Sequence, residues 1–379
     1  MNRTTHILHV CSSLSWGGAE MAAVKLSKQF SQRGYEVVFA VNPKGRIKNE
    51  LQNSNIELVP INFFRYFDPF TVIKLIRLVR KYNVNIIHAH LSRDLAHLFW
   101  VALFLKPLPI ILDKQVSSKI SKKSFIHRLI YGKVSKIFVL STYLKQNVLE
   151  TCPVSDDKVV VIPGGVKLVD YDIASSMRNQ IRNEWKLSDD DFVFGTVCRI
   201  DRQKGLEELV RAFGRIVKEK PSVKLVVVGE PTAGEPEFSN RLLQIVDELK
   251  LTNKIIFTGY RSDVPQVLSA FDLFVLPSYE ESFGYVFIEA LASRLPVIAT
   301  NSGGVPDIIE DSVCGVLVPP KNQESLYNAM IRLLNNKLLR DRFSYAGYRR
   351  VEEMFLESKR LDQIENEYLE LIGQSRSHV

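Results

Sequence analysis

The sequence predicts two consecutive open α/β units, each a parallel sheet wound with helices, and three observations predict it. Apolar, β-rich runs recur along the chain with helix-length segments between most of them, which is the rhythm of βαβ units. That rhythm pauses at Val161-Ile162-Pro163-Gly164-Gly165-Val166 and then restarts. At 379 residues the chain is long enough for two domains, each burying its own core.

In the first half the runs are Ile7–Val10, Glu36–Val41, Ile56–Val59, Ile86–His88, Ile110–Leu112, Ile137–Leu140 and Val159–Ile162. Helix signals between them include Ala19–Arg33, closed by Gly34, and Asp68–Tyr82, opened by Asp68 with Pro69 in the first turn. The most apolar stretch, Leu95 to Leu112, is interrupted by His97, Lys106, Pro107 and Pro109, so it reads as a buried helix followed by a strand rather than a membrane span. The second half repeats the pattern at Phe192–Val197, Lys224–Val228, Lys254–Phe257, Leu273–Leu276, Pro296–Ala299 and Gly315–Val318. The junction between the halves is placed at residue 166, and Phe355 to Ile372 reads as a closing helix.

Hydrophobic residues make up 46% and charged residues 24%, the balance of a chain that folds in water. Cys11, Cys152, Cys198 and Cys314 lie far apart with no Cys-x-x-Cys pair, which suggests neither a disulfide framework nor a zinc site and fits a reducing cytoplasm. Ile7–Val10 is too short for a signal-peptide core. Fifty basic residues against 42 acidic ones give a formal charge of +8, which favours polyanions without choosing among nucleotide phosphates, anionic lipid and nucleic acid. No nucleic-acid-binding module or basic-aromatic signature accompanies that charge, so no nucleic-acid partner is expected.

Three segments carry chemistry. Gly17-Gly18 sits at the first strand-to-helix turn, where backbone amides and the helix dipole suit a diphosphate; a bare Gly-Gly pair is read more simply as a tight turn. Its spacing departs from Gly-x-Gly-x-x-Gly and no acidic residue ends the second strand, which argues against a nicotinamide dinucleotide. Arg199 and Lys204 leave the carboxyl end of Phe192–Val197, the edge where open α/β sheets bind ligands, and offer a planar fork and a point charge to a leaving diphosphate. Between Leu276 and Ala292 a strand, a loop containing Gly284 and an Ala-rich helix divide two carboxylates, Glu281 on the loop and Glu289 on the helix. Glu289 lies among Ile288, Ala290 and Leu291 and needs polar partners, for which sugar hydroxyls are suited; Glu280 reads as a cap or surface charge.

Gly-Gly-Ala-Glu at 17–20, Arg199 with Lys204-Gly205, Glu281 with Glu289, and Ser302-Gly303-Gly304-Val305-Pro306-Asp307 together resemble the family-four glycosyltransferases of the GT-B fold. That resemblance implies two Rossmann-like domains facing across a cleft, residues 1–166 binding acceptor and 167–355 binding nucleotide sugar, with 356–379 crossing back to the first domain. It implies a retaining enzyme that moves a hexose-type sugar from a nucleotide diphosphate donor, uridine preferred and guanosine second. The acceptor would be a glycan or a lipid-linked molecule of cell-envelope polysaccharide or lipopolysaccharide synthesis. Arg199 and Lys204 would bind the diphosphate, Glu281 would lie beside the transferred sugar, and Glu289 would hold the ribose. The backbone from Phe283 through Gly284 and Tyr285 to Val286 would contact sugar and phosphate, while the amides of Gly17 and Gly18 closed over the phosphates. Front-face attack with a donor phosphate oxygen accepting the proton needs no protein nucleophile, metal or cofactor, and no catalytic triad is evident.

Departures from the family pattern fall on the acceptor side. Where many members place a His after the fifth strand, this chain has Gln115 flanked by Lys114, and a Gln cannot act as a general base. The junction has Gly164-Gly165 in place of Asn-Gly, expected to alter hinge stiffness at most, and Asp307 replaces a common Glu. His88 and His90 read as a strand end with side chains on opposite faces rather than a metal pair, though either could touch substrate, and the acceptor-side candidates are His90, Gln115 and Lys114. Asp189-Asp190-Asp191 reads as a solvated turn rather than a metal-binding Asp-x-Asp. From Lys114 to Lys136 basic residues interleave with Ile120, Phe125, Ile126, Leu129, Ile130 and Tyr131, either a peripheral contact with anionic lipid at the inner membrane face or an ordinary amphipathic helix docked on its own sheet. Phe63 to Phe67 is a second candidate contact for the acceptor. The rival readings are a nucleotide-sugar epimerase of the same fold, which needs the missing acid/base pair, and a non-enzymatic polyanion-binding protein.

Overall fold

The structure, a computed structural model, describes residues 5–64, 68–105, 107–232 and 236–377. It forms two compact units, one of residues 1–162 and 361–379 and the other of 163–360. Each is built on one parallel sheet covered by helices, as the alternation of apolar runs and helical segments requires.

In the first unit the strands are β1 (His6–Cys11), β2 (Glu36–Val41), β3 (Glu57–Pro60), β4 (Ile86–Ala89), β5 (Ile110–Asp113), β6 (Lys136–Val139) and β7 (Val159–Val161). Their order is β3-β2-β1-β4-β5-β6-β7, so the winding reverses between β1 and β4. Asp68 caps the helix Pro69–Lys81 by accepting from the amides of Phe70 and Thr71 at 3.2 and 3.0 Å. The closing helix, Glu357–Ser377, belongs to this unit from Leu361 onward, because Leu361, Ile364, Tyr368 and Leu371 recur at helical spacing and enter its core. Arg33 ties it down with ion pairs to Glu365 at 2.5 Å and Asp362 at 2.7 Å.

In the second unit β8 (Phe192–Val197), β9 (Val223–Val228), β10 (Ile255–Gly259), β11 (Leu273–Leu276), β12 (Val297–Thr300) and β13 (Val316–Val318) take the order β10-β9-β8-β11-β12-β13. The helix Leu206–Glu219 buries Leu206, Leu209, Val210, Phe213 and Ile216, one apolar stripe laid on this sheet. Residues 163–166 and 355–357 are zipped together within this unit: Val166 donates to the carbonyl of Phe355 at 2.9 Å and accepts from Glu357 at 3.0 Å. This pairing draws the limits of the unit to Pro163 and Arg360.

Gly164 and Gly165 do more than set the stiffness of a junction. A Cβ on Gly164 would stand 2.5 Å from the ring of Phe283, and one on Gly165 2.7 Å from the backbone of Glu357, so close approach excludes side chains at both positions.

The basic stretch also differs from one of its two expected forms. In the helix Phe125–Gly132 only Tyr131 of the expected stripe is buried, while Phe125 is 73% and Ile126 66% exposed, so most of its apolar residues are not docked on the sheet. Asp189 and Asp190 lie exposed in a turn before β8, with Asp191 accepting from the amide of Ser188 at 2.8 Å, as a solvated turn should. No helix among the described residues is long and apolar enough to cross a membrane. All four cysteines are free.

Candidate functional site

Three loops meet at the carboxyl edge of the second sheet. The loop after β8 carries Arg199 and Lys204, the loop after β11 carries Ser278 to Gly284, and the loop after β12 carries Ser302 to Gly304. Their meeting depends on two glycines held at positive φ. Gly205 (φ +65°) starts the helix Leu206–Glu219, and a Cβ there would lie 2.1 Å from the carbonyl oxygen of Pro277. Gly303 (φ +59°) likewise lets its loop reach Glu281, whose carbonyl oxygen would be 2.0 Å from an added Cβ. Gly304 then donates its amide to that same carbonyl at 2.8 Å.

Within this frame Lys204 Nζ donates to Glu281 Oε1 at 2.6 Å, and Ser278 Oγ donates to the same oxygen at 2.9 Å. The two charged side chains are 16% and 14% exposed, so the pair is largely withdrawn from water. Removing one member would strand the other, a loss of about 3–5 kcal/mol in buried settings. Arg199, on the same loop as Lys204, is different: its side chain is 69% exposed and its contact with Asp201 is 3.4 Å, leaving the guanidinium with donors to offer. Asp201 is held in turn, accepting from the Gln203 amide at 2.9 Å.

Glu289 stands in the helix Tyr285–Ala292, begun by Gly284 at φ +92°. The two carboxylates have separate neighbours. Tyr171, on the helix Leu168–Ala174, has its phenol pushed up by burial and then by the charge of Glu289, which sets Glu289 close to that ring. Phe283 is buried and packs edge-on against Tyr285 at 5.3 Å, both rings lying against Gly164. The side chains of Phe283 and Tyr285 thus serve packing, and Val286 continues the helix. Glu280 is exposed. Ser278 was not legible as a site residue, since a serine after a strand has many uses and only the folded loop turns its hydroxyl to Glu281.

In the first unit Gly17 precedes the helix Gly18–Gln32, and its amide donates to Glu20 Oε2 at 3.0 Å. Ser13 Oγ donates to the other oxygen of Glu20 at 2.6 Å. The Gly17 amide is therefore occupied by the chain's own carboxylate, and a Cβ at Gly18 would meet nothing within 4 Å.

His90 lies in the core. Residues two apart on a strand share a face, so His88 and His90 point the same way and not, as expected, to opposite sides. Their rings stack at 4.7 Å with 8° between planes, and His9, paired to His88 across β1 and β4, stacks on His90 at 5.2 Å. His9 Nδ1 and His90 Nε2 are 2.9 Å apart and share one hydrogen bond. Burial holds His9 down to about 3, and burial followed by the nearby His9 holds His90 well below the ordinary imidazole range. Potential ligand atoms of His88, His90 and Asp113 lie within 4.8 Å of one another. An ion bound by both imidazoles would have to lie in both ring planes, and two stacked, nearly parallel rings do not offer that as they stand. Gln115 donates to Asp113 at 3.0 Å, and Lys114, buried, donates to the Val116 carbonyl at 3.0 Å with its ammonium pushed down by burial.

The paired cations and carboxylate on a Rossmann-like sheet edge, with a second such sheet in the same chain, define the class as GT-B glycosyltransferases. The model for glycosyl transferases group 1 matches residues 177–350 and that for glycosyltransferase family 4 matches 16–169. The chain belongs to the family-four glycosyltransferases. It is 24% identical over 378 residues, 96% of either chain, to the N-acetyl-alpha-D-glucosaminyl L-malate synthase of Bacillus anthracis. It is 26% identical over 318 residues, 80% of either chain, to the Escherichia coli UDP-Gal:alpha-D-GlcNAc-diphosphoundecaprenol alpha-1,3-galactosyltransferase. Anabaena HepE, solved in complex with UDP and glucose, shares the fold at a TM-score of 0.78 and 22% identity over 95% of this chain and 98% of its own.

Proposed function

We propose that this glycosyltransferase is a retaining, metal-independent hexosyltransferase that takes its sugar from a UDP-linked donor, with GDP the second choice. Its acceptor is a glycan or lipid-linked molecule of cell-envelope polysaccharide or lipopolysaccharide assembly. The observation that carries the reading is the shielded Lys204–Glu281 pair, with an exposed Arg199 on the same loop as Lys204, at the carboxyl edge of the second sheet. Lys204, fixed by Glu281, supplies a preorganised positive charge where the donor diphosphate leaves, and Arg199 adds a fork for its oxygens. Glu281 Oε1 already accepts from Lys204 and Ser278, which suits a positioning role beside the sugar better than nucleophilic attack. In the reaction the bond between the anomeric carbon and the phosphate oxygen breaks while the acceptor oxygen attacks the same face. The acceptor proton passes to the departing phosphate oxygen, so no protein base is required. Glu289 accepts from the ribose hydroxyls.

The protein works in the cytoplasm against the inner face of the membrane. Ile120, Phe125, Ile126 and Leu129 are exposed among Lys119, Lys122, Lys123 and Arg128, and each cation near an anionic surface contributes about 1 kcal/mol. The UDP named with HepE and the lipid-linked substrate named for the E. coli relative agree with this assignment.

A thermal-shift panel of nucleotide diphosphates and their sugars, with and without chelator, tests the donor. The expected result is a response to uridine nucleotides that chelator leaves unchanged and that Glu289→Ala blunts. A response that requires a divalent metal would overturn metal independence. Co-sedimentation with anionic vesicles across a salt series tests the membrane contact, and indifference to the vesicles would count against it.

A further inference from the structure

In the second sheet β11 runs between β8 and β12, so the loop that leaves its carboxyl end has the other two loops of the site on either side. Tyr279 stands near the start of that loop, half-buried, two residues before Glu281. Its amide donates to the carbonyl of Gln203 at 2.7 Å, and its own carbonyl accepts from Ser302 Oγ at 2.6 Å. The first bond holds the residue before Lys204. The second holds the loop whose Gly304 amide sits on the Glu281 carbonyl.

The side chain adds a third tie. The Tyr279 hydroxyl donates to Glu208 Oε1 at 2.7 Å, and Glu208 lies in the first turn of the helix Leu206–Glu219, four residues after Lys204. Lys204 is thereby fastened to Tyr279 on both sides along the chain, through Gln203 and through Glu208. Lys321, from the loop after β13, stands 4.9 Å from the centre of the same ring. Burial, followed by the bond to Glu208, pushes the phenol up, which keeps it protonated and a donor.

Resting on the transferase reading above, we infer that Tyr279 is a positioning residue of the reaction: by bonding Gln203, Ser302 and Glu208 together it holds Lys204 and Glu281 at their 2.6 Å separation before the donor arrives. Its hydroxyl is spent on Glu208, so what it supplies is alignment, and a misplacement of about 1 Å at a reacting site can cost on the order of 10²-fold in rate. Lys204 meets charge that grows as the diphosphate departs, so its displacement lowers kcat more than it weakens ground-state binding of the donor. A tyrosine that only filled space would be replaced by phenylalanine at little cost, since the ring and its contact with Lys321 are kept.

The bond from the phenol to Glu208 joins side chains alone, so it can be removed without touching the loop backbone. The test is a cycle on the full chain made of Tyr279→Phe, Glu208→Ala and the two combined, with Glu208→Gln as the conservative variant. Two quantities are read. One is release of the nucleotide diphosphate from UDP-glucose, UDP-N-acetylglucosamine and GDP-mannose with water as acceptor. The other is the rate at which acetic anhydride acetylates Lys204, mapped by mass spectrometry with Lys114 as reference in the other unit. The expected result is a kcat lowered about ten-fold in Tyr279→Phe and in Glu208→Ala, with donor KM within about two-fold of the parent. Lys204 should acetylate several-fold faster in both. The combined variant should be no worse than either single one, and Glu208→Gln, which keeps an acceptor oxygen, should lose less than Glu208→Ala. Parent-like kcat and Lys204 acetylation in Tyr279→Phe, or losses that multiply in the combined variant, would overturn the assignment. A parent chain that releases diphosphate from none of the three sugars, yet shows the expected pattern of Lys204 acetylation, would instead overturn the transferase reading and leave the tie between the loops standing.

Discussion

The six histidines among the described residues all fall in the first unit, and the second has none. The sheets are alike, each parallel and each reversing its winding once, but what lies at their carboxyl edges differs. In the second unit a compact ion pair is clamped by loops that only glycine permits, and its hydrogen-bonding capacity is directed to chosen partners. In the first, three buried imidazoles stack on one another in the core, and apart from them His97, with no hydrogen-bond partner on either ring nitrogen, lines a cavity of about 920 Å³. One arrangement suits fixed charge beside a diphosphate; the other buries its imidazoles and tolerates less acid.

The largest expected effect belongs to the second unit. Lys204→Ala removes the preorganised charge and leaves Glu281 buried without its cation. Single-turnover assays should show kcat reduced by roughly 10²–10³, the loss found when one transition-state donor is deleted, with a smaller change in KM for the donor. An unchanged kcat would show that the pair is only structural. Next comes Gly303→Ala, which forces a left-handed alanine whose Cβ overlaps the Glu281 carbonyl. Strain of that kind costs about 1–3 kcal/mol before any overlap is relieved, and both stability and turnover should fall. A variant as active as the parent would show that the β12 loop does not hold Glu281 in place.

Acid should separate the units. His9 has a folded pKa of about 3 against an ordinary value near 6.5, so its contribution is intact above pH 6.5 and drains as pH falls toward 3. At pH 5 that is a loss of about 2 kcal/mol, at 1.36 kcal/mol per unit. Asp94 acts oppositely: held up to about 6, above its ordinary value near 3.9, it returns about 1.4 kcal/mol over the step from pH 6 to pH 5. His90 is held down like His9 and tips the balance. Between pH 7 and pH 5 the first unit should therefore lose stability while the second, without histidine, lacks this slope. Trp16 and Trp100 report the first unit and Trp185 the second, so urea unfolding of Trp185→Phe and of the Trp16→Phe/Trp100→Phe double variant resolves the two. Parallel shifts in both would refute the distinction.

Much of this contrast was legible in the sequence, and unevenly so. The strands were readable because fully buried parallel strands must be near-continuous apolar runs, and the donor edge because Arg199, Lys204 and Glu281 sit on short loops next to such runs, with Glu289 on the helix that follows one of them. The histidine stack was half legible: the spacing of His88 and His90 places them on one face, but His9 joins them only through the register of β1 on β4. The cavity was not legible, because Phe63, the Asp94–His97 helix start and Ile126 come from separate stretches of the chain and carry no common spacing; Arg65, Tyr66 and Phe67 of the same aromatic run as Phe63 lie outside the described residues. Nor was the need for Gly164, which follows from the rings of Phe283 and Tyr285 more than a hundred residues away in sequence.

The smallest effect concerns the one motif that both readings of the first unit share. Glu20 takes the Gly17 amide and the Ser13 hydroxyl, so it acts as the cap of its own helix, and Glu20→Ala should lower the stability of the first unit by about 1 kcal/mol. The substitution also frees an amide at a helix amino terminus and removes a negative charge beside it, both of which favour an anion. If the turn meets the donor phosphates, nucleotide diphosphate affinity should rise most in Glu20→Ala and less in Glu20→Gln, which loses the charge but can still bridge Ser13 and Gly17. Affinity that is equal in all three chains would reduce Gly17 and Gly18 to a tight turn and leave the diphosphate to Arg199 and Lys204 alone.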